Sequence, residues 1–165
     1  MKPICIVALA TVMICISGCG PSESQPTERQ RFEATEKLLS VEYSDRMADY
    51  IRVLISEGAD VNARRTDGGT PLMIAAGNSS TPEIVQLLLE KGAELEARDT
   101  AGWTPLLHAA MNSSTPEIVQ LLLEKGAEVN ARSTTGKTPL MRAARNTNGK
   151  SAEIKQLLID AGAKE

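Results

Sequence analysis

A chain of 165 residues with a formal net charge of −3 is the size of a single domain. It lacks the basic excess that duplex nucleic-acid binding needs, so nucleic acid is not an expected partner. The aromatic residues are Phe32, Tyr43, Tyr50 and Trp103 alone, too few for a core built on aromatic area.

The chain opens with Lys2, an apolar run from Ile4 to Ile16, and the small residues Ser17 and Gly18 before Cys19. A basic start, a short apolar stretch and small residues have the layout of a secretory signal. The run is well short of the ~20 residues a spanning helix needs, so it reads as a segment to be removed. Ile16-Ser17-Gly18-Cys19 resembles a bacterial lipobox. The resemblance implies cleavage of residues 1–18 and acylation of Cys19, and several acyl chains together give stable anchoring. An ordinary signal peptide with a coincidental cysteine is the plainer alternative. Gly20 follows the Cys where inner-membrane lipoproteins tend to carry Asp, which implies the periplasmic face of the outer membrane. Cys5 and Cys15 fall in the removed part, so the remainder has neither a free thiol nor a disulfide. Residues 19–29 form the lipidated end and a tether. Gly20 to Glu28 carries Pro, Ser and Gln without apolar anchors.

Residues 30–165 are expected to form one domain of four units, spanning 30–67, 68–101, 102–135 and 136–165. Asn78 to Glu94 recurs letter for letter as Asn112 to Glu128, 34 positions on. Thr-Pro-Leu recurs at Thr70, Thr104 and Thr138, each followed by an Ala-Ala pair. Such a period signals a stacked array. The first unit lacks Thr-Pro-Leu. Phe32–Val41 and Asp45–Ser56 are its expected helices, with Glu33, Glu36, Lys37 and Glu42 making a polar outer side. In the second unit Thr70 and Pro71 suit an N-cap and first helical position, and Leu72 to Ala76 give a short helix. Asn78-Ser79-Ser80 breaks it. Thr81-Pro82-Glu83 starts a longer helix that is apolar over most of its surface, and Gly92 ends it. Ala93 to Thr100, running on to Gly102, suggests an extended hairpin. In the last unit Arg145 to Ala152 separates the helices, and Ala152 to Asp160 closes the array.

The residues Asp99-Thr100-Ala101-Gly102-Trp103-Thr104-Pro105-Leu106, Ala109-Ala110, Glu117-Ile118-Val119, Leu121-Leu122-Leu123 and Gly126-Ala127-Glu128-Val129-Asn130-Ala131 resemble the ankyrin repeat. The resemblance implies an all-α solenoid of about four helix–turn–helix units with projecting β-hairpin loops. The units here exceed the usual length by one residue. The family's His after Thr-Pro-Leu is replaced by Met73, Leu107 and Met141, substituting apolar packing for the hydrogen bonds that His makes between repeats.

No chemistry-bearing constellation accompanies the repeats. His108 is the single histidine and reads as a packing or surface residue. Metal ligands at workable spacing, phosphate loops and nucleophile elbows do not occur. The expectation is a non-enzymatic monomer with no cofactor. The resemblance assigns partner binding to the concave face: Thr66, Asp67 and Gly69; Gly77 and Asn78; Thr100, Ala101 and Trp103; Met111 and Asn112; Thr134, Thr135 and Lys137; Arg145 and Asn146. Two readings of Trp103 are open, a binding anchor or packing on the neighbouring hairpin. Lys137, Arg142, Arg145 and Lys150 make the C-terminal end basic, either as a solvated face or as a preference for an acidic protein. The leading expectation is a membrane-anchored protein-binding module. The alternatives are an inhibitor protecting against a secreted toxin or enzyme, an envelope protein binding wall polymer, and an enzyme with a cryptic site.

Overall fold

The computed structural model describes residues 26–40 and 48–164. The expected leader, the Ile16–Cys19 motif with the expected acylation site Cys19, most of the expected tether, and Glu42 lie outside the described residues. Among the described residues there are eight helices and no strand. They are α1 (Glu28–Ser40), α2 (Ala48–Ser56), α3 (Pro71–Asn78), α4 (Pro82–Glu90), α5 (Pro105–Asn112), α6 (Pro116–Glu124), α7 (Pro139–Ala143) and α8 (Ser151–Asp160). None is long and apolar enough to cross a membrane.

The helices pair in sequence, α1 with α2 and so on to α7 with α8. The inner helices α3, α5 and α7 stack in one row, and the outer helices α2, α4, α6 and α8 in a second. Ala75, Ala76, Ala109, Ala110 and Ala143 are fully buried, and their small side chains let the inner row approach closely. Between the rows lie Leu72, Ile84, Leu88, Leu106, Ile118, Leu122, Ile154 and Leu158, none more than 1% exposed. Each such side chain stabilises the stack by about 1.5–3 kcal/mol.

Local signals set the helix ends. Thr70, Thr104 and Thr138 cap the inner helices, accepting the backbone N–H of Met73, Leu107 and Met141. Gly92 has φ +89. Its N–H reaches the Leu89 carbonyl, while that of Ala93 reaches Leu88, the paired bonds of a glycine-terminated helix.

Several expectations need correction. α1 begins at Glu28 rather than Phe32, so the folded chain takes in the end of the presumed tether. The cause is a capping box at Thr27 and Gln30: Thr27 N–H donates to Gln30 Oε1 at 2.8 Å, and Gln30 N–H to Thr27 Oγ1 at 3.3 Å. Thr81 and Thr115 precede α4 and α6 but make no side-chain cap. The buried hydroxyls of Ser79 and Ser113 hold those turns instead, donating to the carbonyls of Thr81 and Thr115 at 2.9 and 3.0 Å. The first pair is not purely polar outside. Glu33, Glu36 and Lys37 are exposed, and so are Phe32, Tyr50 and Val53. Met73 and Leu107 are buried as expected, but Met141 is 37% exposed because its place is at the end of the inner row.

The projecting loops are single-turn hairpins without flanking strands. Asp99 N–H bonds to Trp103 O, and Gly102 N–H to Asp99 O, with Gly102 at φ +71. This is a three-residue loop with glycine in the left-handed position. Successive tips are joined to one another: both the N–H and the hydroxyl of Thr100 donate to Asp67 O, and those of Thr134 to Ala101 O. Below the tips, Arg64 Nη1 donates to Arg98 O at 2.8 Å and Arg98 Nη1 to Arg132 O at 2.8 Å. With the bonds from Asn62 Nδ2 to Gly92 O and from Asn130 Nδ2 to Gly162 O, they link one repeat to the next in the absence of the family's usual histidines.

Candidate functional site

Hairpin tips and inner helices meet along one side of the stack, and the register places equivalent residues in rows. Gly69, Trp103 and Lys137 share one row at the hairpin base; Ile74, His108 and Arg142 share a second on the inner helices. A third holds Gly77, Met111 and Arg145, and a fourth Asn78, Asn112 and Asn146. A groove of about 340 Å³ opens between the first and second hairpins and α3 and α5. It brings together Asp67, Gly69, Gly77, Asn78, Thr100, Ala101 and Asn112 from the expected face. Arg65, Met73, Ile74, Asp99 and His108 complete its walls.

Asp99 and His108 were not singled out by sequence as face residues, yet they organise it. Asp99 Oδ1 accepts the N–H of Ala101 at 2.9 Å and of Trp103 at 2.8 Å, and Oδ2 lies 3.0 Å from His108 Nε2. The carboxylate is thus a clasp across the hairpin. His108 ties that clasp to α5. One signal was available: an Asp at the first hairpin position with a His nine residues on. Position 65 carries Arg in place of that Asp, and there Asp67 Oδ1 takes the Gly69 N–H instead, at 2.9 Å.

Trp103 is half-buried. Its ring stands 4.9 Å from the His108 ring at a tilt of 53°, and the Arg142 guanidinium lies 3.9 Å over it. Arg142 Nη1 also approaches Met111 Sδ at 3.6 Å. Arg142 is therefore no freely solvated cation; burial first, then the neighbouring charge of Arg145, lowers its pKa. Lys137, Thr134, Thr135 and Arg145 are exposed, and Thr66 projects from the first tip.

Asn146 does not belong to the open face. It is 8% exposed, and its amide donates to Ala110 O at 3.3 Å and Ser113 O at 3.0 Å. It pins the long α7–α8 connection to α5 and α6. Lys150 lies at the start of α8, where it pairs with Glu153 at 3.0 Å, and is not part of the cationic end.

Charge is distributed unevenly along the rows. Around the groove, Arg65 faces Asp67 at 4.0 Å and Asp99 faces His108. Toward α7, Lys137, Arg142 and Arg145 have no carboxylate within ion-pair distance among the described residues. No group of three or more His, Cys, Asp or Glu among those residues could hold a metal ion.

The family model for ankyrin repeats, in three copies, matches residues 38–133 and again 98–165. The chain belongs to the ankyrin-repeat family. No curated protein matches the sequence. Ankyrin repeats generally mediate protein–protein interaction, and the rows described here form the side on which an ankyrin stack offers hairpins and inner helices together.

Proposed function

We propose that this ankyrin protein is a lipid-anchored, non-enzymatic module that holds a partner protein near a membrane through its concave face. The observation that carries the binding half is the groove beside Asp99 and His108, continued toward α7 by cations without carboxylate partners among the described residues. Uncompensated positive charge over half-buried side chains favours an acidic partner and speeds its arrival. The anchoring half rests on Lys2, the apolar run and the Ile16-Ser17-Gly18-Cys19 sequence. Seven residues separate Cys19 from Thr27, where the capping box of α1 begins. At ~3.3 Å per residue this holds the stack within ~25 Å of its anchor.

Photo-crosslinkers placed at Thr100 and Asn112, and at Glu124 on the outer row, test the binding half in cells. Discrete adducts from the first two positions and none from the third are expected; equal labelling from both sides overturns the assigned face. Mass spectrometry of the mature N-terminus tests the other half. A fatty-acylated Cys19, with unprocessed precursor accumulating for Cys19→Ala, is expected. An unmodified N-terminus elsewhere in the chain removes the anchor.

A further inference from the structure

We propose that Arg142 is the carboxylate-reading anchor of the concave face, that Trp103 is its positioning residue, and that the partner lays an acidic segment over α7. This rests on the protein-binding reading above and names the chemistry the partner must bring. An arginine side chain ordinarily loses much rotamer freedom when it grips a carboxylate. Here that freedom is already spent. The guanidinium is stacked 3.9 Å over Trp103, Nη1 touches Met111 Sδ, and Nε is buried without a hydrogen-bond partner. Trp103 is held in turn: its backbone N–H is bonded to Asp99 Oδ1, and its ring rests against His108, which Asp99 Oδ2 fixes. A line of order thus runs from the hairpin clasp to the guanidinium fork, whose planar donors match a carboxylate.

The charge around the fork calls for an anion. Arg145 lies one turn along, Lys137 occupies the Trp103 row one repeat on, and neither has a carboxylate partner among the described residues. Burial first, and then the Arg145 charge, lower the Arg142 pKa, and a bound anion opposes both. At the equivalent positions of the two preceding repeats stand Ile74 and His108, so the fork occurs at one end of the row only. A segment bound along the face therefore has one orientation, with its carboxylates over α7 and its less charged part toward the groove. Arg142 is recessed between a hairpin and an inner helix, which suits an extended peptide better than a flat sheet of lipid headgroups.

Trp103 is the sole tryptophan, so its emission reports on the stack directly. The full chain is titrated with a short oligoglutamate peptide, an oligolysine peptide and phosphatidylglycerol-containing vesicles. Oligoglutamate is expected to shift the emission saturably, and oligolysine to leave it unchanged. Arg142→Gln should weaken oligoglutamate by about tenfold or more, and Arg142→Lys, which keeps charge but loses the fork, by several-fold. By calorimetry, Trp103→Ala should also weaken binding although net charge is unaltered, and Trp103→Phe should restore most of it. Equal losses for Lys137→Gln, Arg142→Gln and Arg145→Gln with no loss for Trp103→Ala would overturn the anchor, since diffuse charge would then suffice. So would vesicle binding that exceeds peptide binding. Discriminating peptide binding without concave-face crosslinks in cells removes the protein-binding role but keeps this site. Crosslinks without peptide discrimination do the reverse.

Discussion

Gly102 and Gly136 hold the same hairpin position with nearly the same φ, +71 and +74, but their surroundings differ. A Cβ on Gly102 would meet the Thr134 backbone N at 2.9 Å, whereas one on Gly136 would meet nothing within 4 Å. Gly136→Ala should therefore cost only the left-handed backbone penalty, about 1–2 kcal/mol. Gly102→Ala should cost clearly more, because the next hairpin must give way. Urea unfolding of the two variants checks this; equal losses would mean that the tips are not packed as described. Asp99→Ala strips acceptors from two backbone N–H groups and His108, and should destabilise by about 1–3 kcal/mol. At this scale the sequence was least legible. Trp103 stood out on composition, but its dependence on Arg142, 39 positions away, follows from stacking of repeats. Asn146 matched Asn78 and Asn112 in register, yet the longer connection after α7 turned it inward to serve as a clamp.

The identical helices α4 and α6 make an internal control, since one nine-residue sequence sits in two settings. Leu87 is 5% exposed while its counterpart Leu121 is only half-buried. The neighbours cause this: α4 packs between α2 and α6, and α6 between α4 and α8. Leu87→Ala should cost about 2–4 kcal/mol and Leu121→Ala measurably less, by denaturant midpoint. The turns before these helices allow a sharper contrast. Ser113→Ala removes a fully buried hydroxyl that clasps Thr115, and should cost about 1 kcal/mol. Thr81→Ala should stay within about 0.5 kcal/mol, since Thr81 makes no side-chain cap. Thr-Pro identifies a helix start but does not show which hydroxyl closes the turn. A buried Ser two residues earlier closes it, and the Thr115 hydroxyl turns instead to Ser80 O at 3.1 Å. The start of α1 was readable from Thr27-Glu28-Arg29-Gln30, a capping box hidden inside a stretch whose composition suggested tether.

Across the whole molecule, helix order and stacking followed directly from a 34-residue period, because each pair can bury its leucines only against its neighbours. The cationic end over α7 was visible as a run of charges. Its depth was not, since exposure of Arg142 depends on a ring from the preceding repeat. The exposed pairs Arg64–Glu94 and Arg98–Glu128, at 3.5 and 3.8 Å, add little to stability. The claim on which everything else depends is that function resides on the concave rows and not on the outer helices. The most direct test is the Kd of the crosslinked partner for the full chain carrying Asn112→Arg, beside the same chain carrying Gln120→Arg on α6. Asn112→Arg should weaken binding by roughly tenfold or more while Gln120→Arg leaves it unchanged. Loss of affinity from Gln120→Arg with Asn112→Arg silent would contradict it.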